Sequence, residues 1–181
     1  MITTERLILR PWNEKDFQPF AEMNADPRVR EFFPSVLTRE QSDSEIRRIQ
    51  SACEKDGFTL FAAELIATGE FVGFIGMVTM TFAVPALAQP AVEIGWRLAH
   101  KHWGQGLATE GAREILRYGF ATVKLKEIVA ITVPSNVRSR HVMEKIGMKY
   151  LPDLDFDHPR LREGRPLRRH VVYSIANSNL S

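Results

Sequence analysis

A glycine-rich turn carries the clearest chemical signal in this sequence. The turn, Gly104-Gln105-Gly106, directly follows a strand-like stretch at residues 91–98 and directly precedes a helical pattern that begins at Leu107. A helix that begins at glycines presents unpaired backbone N–H groups and the positive end of its dipole. The spacing therefore predicts a phosphate-binding loop, and the nearby charge of Lys101 could also meet a phosphate.

Two other phosphate-binding motifs do not fit this loop. A P-loop needs Gly-Lys-Ser or Gly-Lys-Thr after its first glycine, and the sequence does not supply it. A dinucleotide fingerprint needs glycine or alanine where Thr109 stands, and an acidic residue at the end of the next strand, which here ends at Val133. The loop is therefore a different kind of phosphate site.

The elements around the loop predict a single α/β domain over residues 1–181. A length of 181 residues suits one core. Strand, helix and strand in succession imply a right-handed parallel crossover with the loop at the carboxyl end of its first strand. We expect a mixed central sheet of about seven strands flanked by helices. Strands are predicted at 7–9, 58–66, 71–82, 91–99, 127–133, 148–151 and 170–175, and helices after Asn13, Thr38, Gly106 and Asn136.

Charge and cysteine content narrow the class of protein. With 24 basic and 22 acidic residues the net charge is +2, so neither nucleic acid nor an anionic membrane is indicated as a partner. The single cysteine, Cys53, and a first segment unlike a signal peptide favour a cytoplasmic location. The run 71–92 lacks charge, but its glycines and prolines favour a strand and a loop over a membrane span.

Two polar clusters near the predicted strands can be explained as solvent-exposed loop residues. His100 and His102 lack a cysteine or carboxylate to complete a metal set, so no metal is expected and both histidines should be exposed in a loop. Asp153, Asp155 and Asp157 alternate in a later loop; they either face solvent or attract a cationic substrate.

Motifs along most of the chain resemble the GCN5-related N-acetyltransferase (GNAT) superfamily. The resemblance is to the branch typified by ribosomal-protein-alanine N-acetyltransferases, the RimJ/RimL-like enzymes. The loop follows the family pattern of glutamine or arginine, two residues, glycine, any residue, and glycine or alanine, except that Lys101 occupies its first position. The matching stretches are 4–12, 25–27, 93–96, 103–110, 136–140 and 144–148.

The resemblance implies acetyl-CoA as co-substrate and assigns the residues that bind it. Backbone groups of Ile94, Trp96, Arg97 and Leu98 would bind the pantetheine arm, and Asn136 would contact the same arm. The remaining cofactor-binding candidates surround the pyrophosphate: Lys101, Trp103, Gly104, Gln105, Gly106, Leu107 and Ala108.

The resemblance also implies a reaction, the transfer of an acetyl group to a primary amine. Glu93 is the candidate base, since a carboxylate can take the ammonium proton directly or through water; an ordinary ion pair is the alternative. The family's usual tyrosine acid falls at Met143, which cannot donate a proton. The hydroxyl of Ser139 is the available substitute, although it could equally cap a helix or face solvent.

The resemblance defines the identity of the amine acceptor less narrowly than it defines the reaction. A protein N-terminal α-amine, attacked directly in a ternary complex, is the first expectation. The alternatives are a longer acyl donor, a small-molecule amine such as an antibiotic, a polyamine or an amino acid, and a catalytically silent CoA-binding sensor. A homodimer is compatible with the sequence.

Overall fold

Capping residues define where the first helices begin. The computed structural model describes residues 1–84, 87–164 and 166–177. Asn13 accepts a hydrogen bond from the backbone of Lys15 and opens a short 3-10 turn that leads into α1 (Phe17–Ala25). Thr38 and Gln41 form the predicted capping box of α2 (Arg39–Asp56), which ends at Gly57 with φ 75°.

The helices that follow the glycine turn and Asn136 are also where the sequence predicts them. Helix α3 is Leu107–Ala121 and α4 is Val137–Lys145. Gly147, with φ 88°, lies in the turn that ends α4.

The central sheet has nine strands, not about seven. The strands are β1 (Ile2–Thr3), β2 (Leu7–Arg10), β3 (Leu60–Leu65), β4 (Phe71–Thr79), β5 (Val92–Leu98), β6 (Glu127–Thr132), β7 (Lys149–Tyr150), β8 (Phe156–Asp157) and β9 (Arg169–Ala176). The two strands missed from the sequence, β1 and β8, have two residues each. That is too short for an alternating pattern to appear.

The order of the strands places one parallel pair in the middle of the sheet. The order is β1-β2-β3-β4-β5-β6-β9-β7, and β8 pairs with β9. Strands β5 and β6 are parallel and are connected through α3, as predicted, whereas every other pair is antiparallel. The glycine turn therefore follows the carboxyl end of a central strand.

Helices cover both faces of the sheet. Leu107, Ile115 and Leu116 of α3 belong to one buried cluster with Ile75 and Ile94. On the opposite face, the side chains of α1 and α2 pack with Trp12 and Phe74 in a second cluster. Among the helices of the described residues, none combines the length and the apolarity needed to cross a membrane.

The sheet opens between its two parallel strands. Strand β5 pairs with β4 from Thr79↔Val92 to Gly73↔Leu98. With β6 it shares only the pair Glu93↔Val129. Beyond Glu93 the two strands separate, so the β6-facing backbone groups of residues 94–98 are not used in the sheet. Apart from the Leu98 carbonyl, which accepts a hydrogen bond from Trp103 Nε1, these groups are available to a ligand.

Candidate functional site

A cavity of about 640 Å³ lies where β5 and β6 separate. It extends from the glycine loop and the start of α4 to side chains of α2 and of the segment that joins α1 to α2. Of the predicted site residues, all but Lys101 and Gln105 line it. Those that do are Glu93, Ile94, Trp96, Arg97, Leu98, Trp103, Gly104, Gly106, Leu107, Ala108, Asn136 and Ser139.

The glycine loop has the backbone that a phosphate site needs. Gly104 and Gly106 have φ values of 73° and 79°, a region that other residues rarely adopt. The first α-helical bond of α3 is donated by Glu110 N–H to the Gly106 carbonyl (3.0 Å), and no side chain caps the helix. The N–H groups just before Glu110 are therefore outside the helical ladder. These features fit a pyrophosphate at the end of the helix.

Arg6 braces the loop, a contact that the sequence reasoning missed. Its Nη1 donates to the Gln105 carbonyl (2.9 Å), and its Nη2 lies 2.6 Å from Glu110 Oε2. A guanidinium is thereby fixed beside Gly106. The signal was available in residues 4–12, which carried part of the family resemblance, but the pairing spans about a hundred residues and has no local pattern.

Lys101 lies outside the cavity and is engaged by another residue. Its ammonium forms an ion pair with Glu70, and its side chain is 67% exposed. Gln105 Nε2 donates to the Lys101 carbonyl (3.0 Å), so the side chain of Gln105 stabilises the turn. The departure from the family pattern at position 101 thus coincides with a local ion pair.

The expectation that both loop histidines are exposed was wrong for His102. His102 is 6% exposed, and its Nε2 lies 3.6 Å from Glu70 Oε1. Burial lowers the pKa of its imidazole. His100 packs on the ring of Trp103, whose Nε1 donates to the Leu98 carbonyl (2.7 Å). Within the described ranges, no group of potential ligands is placed to hold a metal ion.

Glu93 lies at the point where β5 and β6 are last paired. Its side chain lines the cavity and is partly accessible from it, but is otherwise surrounded by protein. Burial raises the pKa of this carboxyl to about 7, and no basic group of the described chain offsets the effect. A carboxyl with that pKa can exchange a proton near neutral pH.

Asn136 and Ser139 sit at the opposite wall and are linked to each other. Asn136 Oδ1 accepts from Ser139 N (3.2 Å), which caps α4, and Asn136 Nδ2 donates to Thr132 Oγ1 (3.0 Å). The backbone of Ser139 thus serves the cap, while its side chain lines the cavity. Met143 also lines the cavity and is 2% exposed.

The far wall of the cavity contains two histidines that the sequence analysis did not select. His158 and His170 line it, with ring centroids 5.0 Å apart, and Phe82 lies 4.6 Å from His158. Burial, together with the charge of His170 and Arg160, lowers the pKa of His158 to about 4. Both imidazoles are therefore neutral near pH 7, which makes this wall aromatic and uncharged.

Two of the three loop aspartates have local partners. Asp155 Oδ2 accepts a hydrogen bond from the Tyr150 hydroxyl (2.7 Å), and Asp157 lies 3.6 Å from Arg168 and from Arg169. The cavity lining does not include any of the three aspartates. This arrangement favours the reading of a surface loop.

Solved structures share this architecture. The crystal structure of a GNAT-family acetyltransferase from Bacillus anthracis is similar with a TM-score of 0.80 and 29% identity, covering 98% of each chain. Mycobacterium smegmatis RimJ, solved with CoA-disulfide, is similar with a TM-score of 0.73 over 96% of this chain and 83% of that one. At 23% identity, the second likeness is one of fold.

Sequence comparison identifies the family. The family described as "Acetyltransferase (GNAT) domain" matches residues 6–149. The chain is also 30% identical to the FsC-acetyl coenzyme A-N(2)-transacetylase of Aspergillus fumigatus over 183 aligned residues, which cover 95% of this chain and 74% of the relative. The splayed sheet and its glycine loop thus occur in a chain whose relatives are acetyltransferases. The chain belongs to the GNAT family and is an acetyl-CoA-dependent N-acetyltransferase.

Proposed function

We propose that the enzyme acetylates an α-amine, that of a peptide or protein N-terminus, by direct attack in a ternary complex. The observation that carries the proposal is the position of Glu93 at the apex of the opening between β5 and β6. Its carboxyl is largely buried, and the described residues give it no cationic partner. An acceptor that reaches this point from the α1 and α2 side meets a proton acceptor poised near neutral pH. Acetyl-CoA supplies the acyl thioester.

The chain's residues divide the work of binding and proton transfer. The free backbone edge at 94–98 and the N–H groups of the glycine loop orient the co-substrate, and Asn136 borders the same channel. Glu93 takes a proton from the ammonium, directly or through water, as the nitrogen bonds to the acetyl carbon and the C–S bond breaks. The acylated nitrogen then loses its second proton, and the departing thiolate takes one up. The Ser139 hydroxyl, which could relay this proton, is the available substitute for the tyrosine that Met143 replaces.

The chemistry of amines favours the α-amine over lysine. An α-amino group has a pKa near 8 and a lysine side chain one near 10.4, so at pH 7 the neutral fraction differs by roughly 10². Glu93, with a pKa of about 7, is better matched to the first group than to the second. The reducing environment favoured by the single Cys53 is consistent with a cytoplasmic location for this chemistry.

Matched peptides test the proposal. One has a free N-terminus and an acetylated lysine, and the other has a blocked N-terminus and a free lysine. With acetyl-CoA at saturation, we expect the first peptide to release CoA faster, by up to about 10² if reactive fraction alone decides. Faster acetylation of the lysine peptide would overturn the α-amine proposal.

A small-molecule amine is the second candidate. It is favoured by the relative whose name gives FsC as the compound acetylated at N(2), and by the enclosed aromatic wall of Phe82, His158 and His170. Reaction of a small amine with neither peptide reactive would establish it. Acetyl-CoA binding without turnover of any amine in a broad panel would instead identify a sensor.

A further inference from the structure

Arg97 lines the acceptor side of the cavity on the same strand as Glu93. The two residues are four positions apart in β5, so their side chains leave the same face of the sheet. Along a strand this spacing places their Cα atoms about 13 Å apart. A substrate that reaches Glu93 with its amine therefore has Arg97 about 13 Å away along the cleft.

The guanidinium of Arg97 is buried, and its bonding capacity is only partly used. Its side chain is 10% exposed and lies over the rings of Phe33 and Phe74, 4.5 and 5.0 Å from their centroids. The hydrogen bonds that it donates within the described chain all leave from Nη1, to Asn24 Oδ1 (2.9 Å) and to both Glu45 oxygens (3.2 Å). Arg97 Nε is buried and has no partner among the described residues.

The charges around Arg97 leave an excess of one cation. Arg28 pairs with Asp26, and Arg138 pairs with Glu31. Glu45 pairs with Arg97 and also acts electrostatically on Arg30, so one carboxylate serves two largely buried guanidinium groups.

The pKa of Arg30 reflects this excess of positive charge. It is 8% exposed and rests 4.1 Å above the ring of Phe33, and its Nε donates to the Ser35 carbonyl (2.9 Å). Burial and the charge of Arg97 lower its pKa to about 10, against the opposing effect of Glu45. A further anion near Arg97 would therefore be stabilised.

We propose that Arg97 anchors a carboxylate of the acceptor, so that the preferred substrate is an amine that carries a carboxylate about 10 to 13 Å from its nitrogen. A guanidinium with unused donors in a water-poor cleft is suited to bind a carboxylate through charge-assisted hydrogen bonds. An extended peptide of about three or four residues spans this distance. The inference rests on the proposed α-amine function and specifies its substrate.

A ladder of peptides measures the proposed preference. Alanine peptides of two to five residues with free N-termini are compared as C-terminal carboxylates and as carboxamides. A second pair, capped as carboxamides, carries glutamate or glutamine at position three, so that a side-chain carboxylate is distinguished from a terminal one. In one of these two comparisons, terminal or side-chain, we expect the KM of the peptide with the carboxylate to be at least roughly tenfold lower, with kcat nearly unchanged.

Variants of the anchor and of its competitor separate binding from a purely structural role. Arg97→Gln should remove the preference, and Arg97→Lys should restore part of it. Glu45→Gln removes the carboxylate that competes for Arg97, while the bond from Nη1 to Asn24 remains, and should increase the preference. Arg117→Gln, which removes an exposed cation paired with Glu114 on α3, is the control and should leave the preference unchanged. Retention of the acetyl-CoA thermal shift shows that each variant is folded.

The possible outcomes distinguish this inference from the function on which it rests. Turnover of α-amine peptides with equal KM for both forms at every length would overturn the anchor and leave the function standing. Failure of every peptide to react would overturn the α-amine function. The anchor is then tested by the thermal shift that N-acetylated peptides produce in the presence of CoA: a larger shift for the carboxylate, lost in Arg97→Gln, supports it, and equal shifts overturn it.

Discussion

Glu93 is a candidate base, and the described chain gives it no cationic partner. The sequence alone could indicate only the first of these properties. The position of Glu93 in the strand before the loop marked it as a proton acceptor, but an ordinary ion pair remained the alternative explanation. The structure gives it no basic partner in the described chain and raises its pKa to about 7 through burial. The absence of a counter-charge depends on what α1, α2 and the distant strands place nearby, and local spacing does not encode that.

Replacement of Glu93 should affect turnover far more than acetyl-CoA binding. If Glu93 is the base, Glu93→Gln should lower kcat by about 10² to 10⁴. In the native enzyme kcat/KM should rise with pH and level off above about 7, as the carboxyl ionises. The variant should lack this step and recover partly at high pH, where the amine arrives neutral. Glu114→Gln, at a half-buried position of α3 outside the cavity lining, is the control. Equal profiles for native enzyme and Glu93→Gln would assign Glu93 to structure.

The same carboxyl should make the native protein less stable as pH rises. Between its usual pKa of 4.5 and about 7, the folded state keeps a proton that the unfolded state has lost. The folded state then binds more protons, so the free energy of unfolding falls with pH across this window and levels off above it. Well above pH 7 we expect Glu93→Gln to be more stable than the native protein, by on the order of 3 kcal/mol.

Urea unfolding at pH 5, 6, 7 and 8 gives this difference directly. Subtracting the two proteins cancels the buried histidines, whose lowered pKa values are common to both. A difference that does not grow between pH 5 and pH 7 would mean that Glu93 ionises in the folded protein as it does in water.

At the scale of elements, the glycine loop and α3 were the most predictable part of the site. The turn residues, the capping position and the helical pattern all lie within about 20 residues of sequence, and each has a local physical cause. The bracing of the loop by Arg6 and the pairing of Lys101 with Glu70 were missed for the opposite reason. Both join segments that are distant in sequence and meet only when the sheet forms.

An acidic side chain in the loop should abolish acetyl-CoA binding. Acetyl-CoA at about 100 times its dissociation constant should stabilise the native protein by about 2.7 kcal/mol. Gly106→Asp places a carboxylate where the N–H groups of α3 face the phosphates, so this stabilisation should disappear. Gly69→Asp has a matching backbone, with φ 69° and open space around the added atom, and should keep the shift while bearing a similar strain. A normal shift in folded Gly106→Asp would contradict the phosphate assignment.

At the scale of the whole molecule, the fold was predicted in its class and in its parallel crossover, while two strands were missed. Local composition and turn residues identified β3, β4, β5 and β6 and the hairpin formed by β3 and β4. Strand β8 exists because Phe156 pairs with His170 on β9 inside what reads as a polar loop. The divergence of β5 from β6 also had no signal in the sequence, since each strand by itself is regular.

That divergence divides the sheet into two rafts, β1 to β5 on one side and β6, β7, β8 and β9 on the other. A single backbone pair, together with the helices packed across the boundary, ties the rafts to each other. A co-substrate that lies along the free edge of β5 then contacts both rafts and stabilises their association. Its binding would slow amide hydrogen exchange on both sides of the boundary. The cell's supply of acetyl-CoA would in this way set how long each enzyme molecule survives proteolysis, as well as how fast it works.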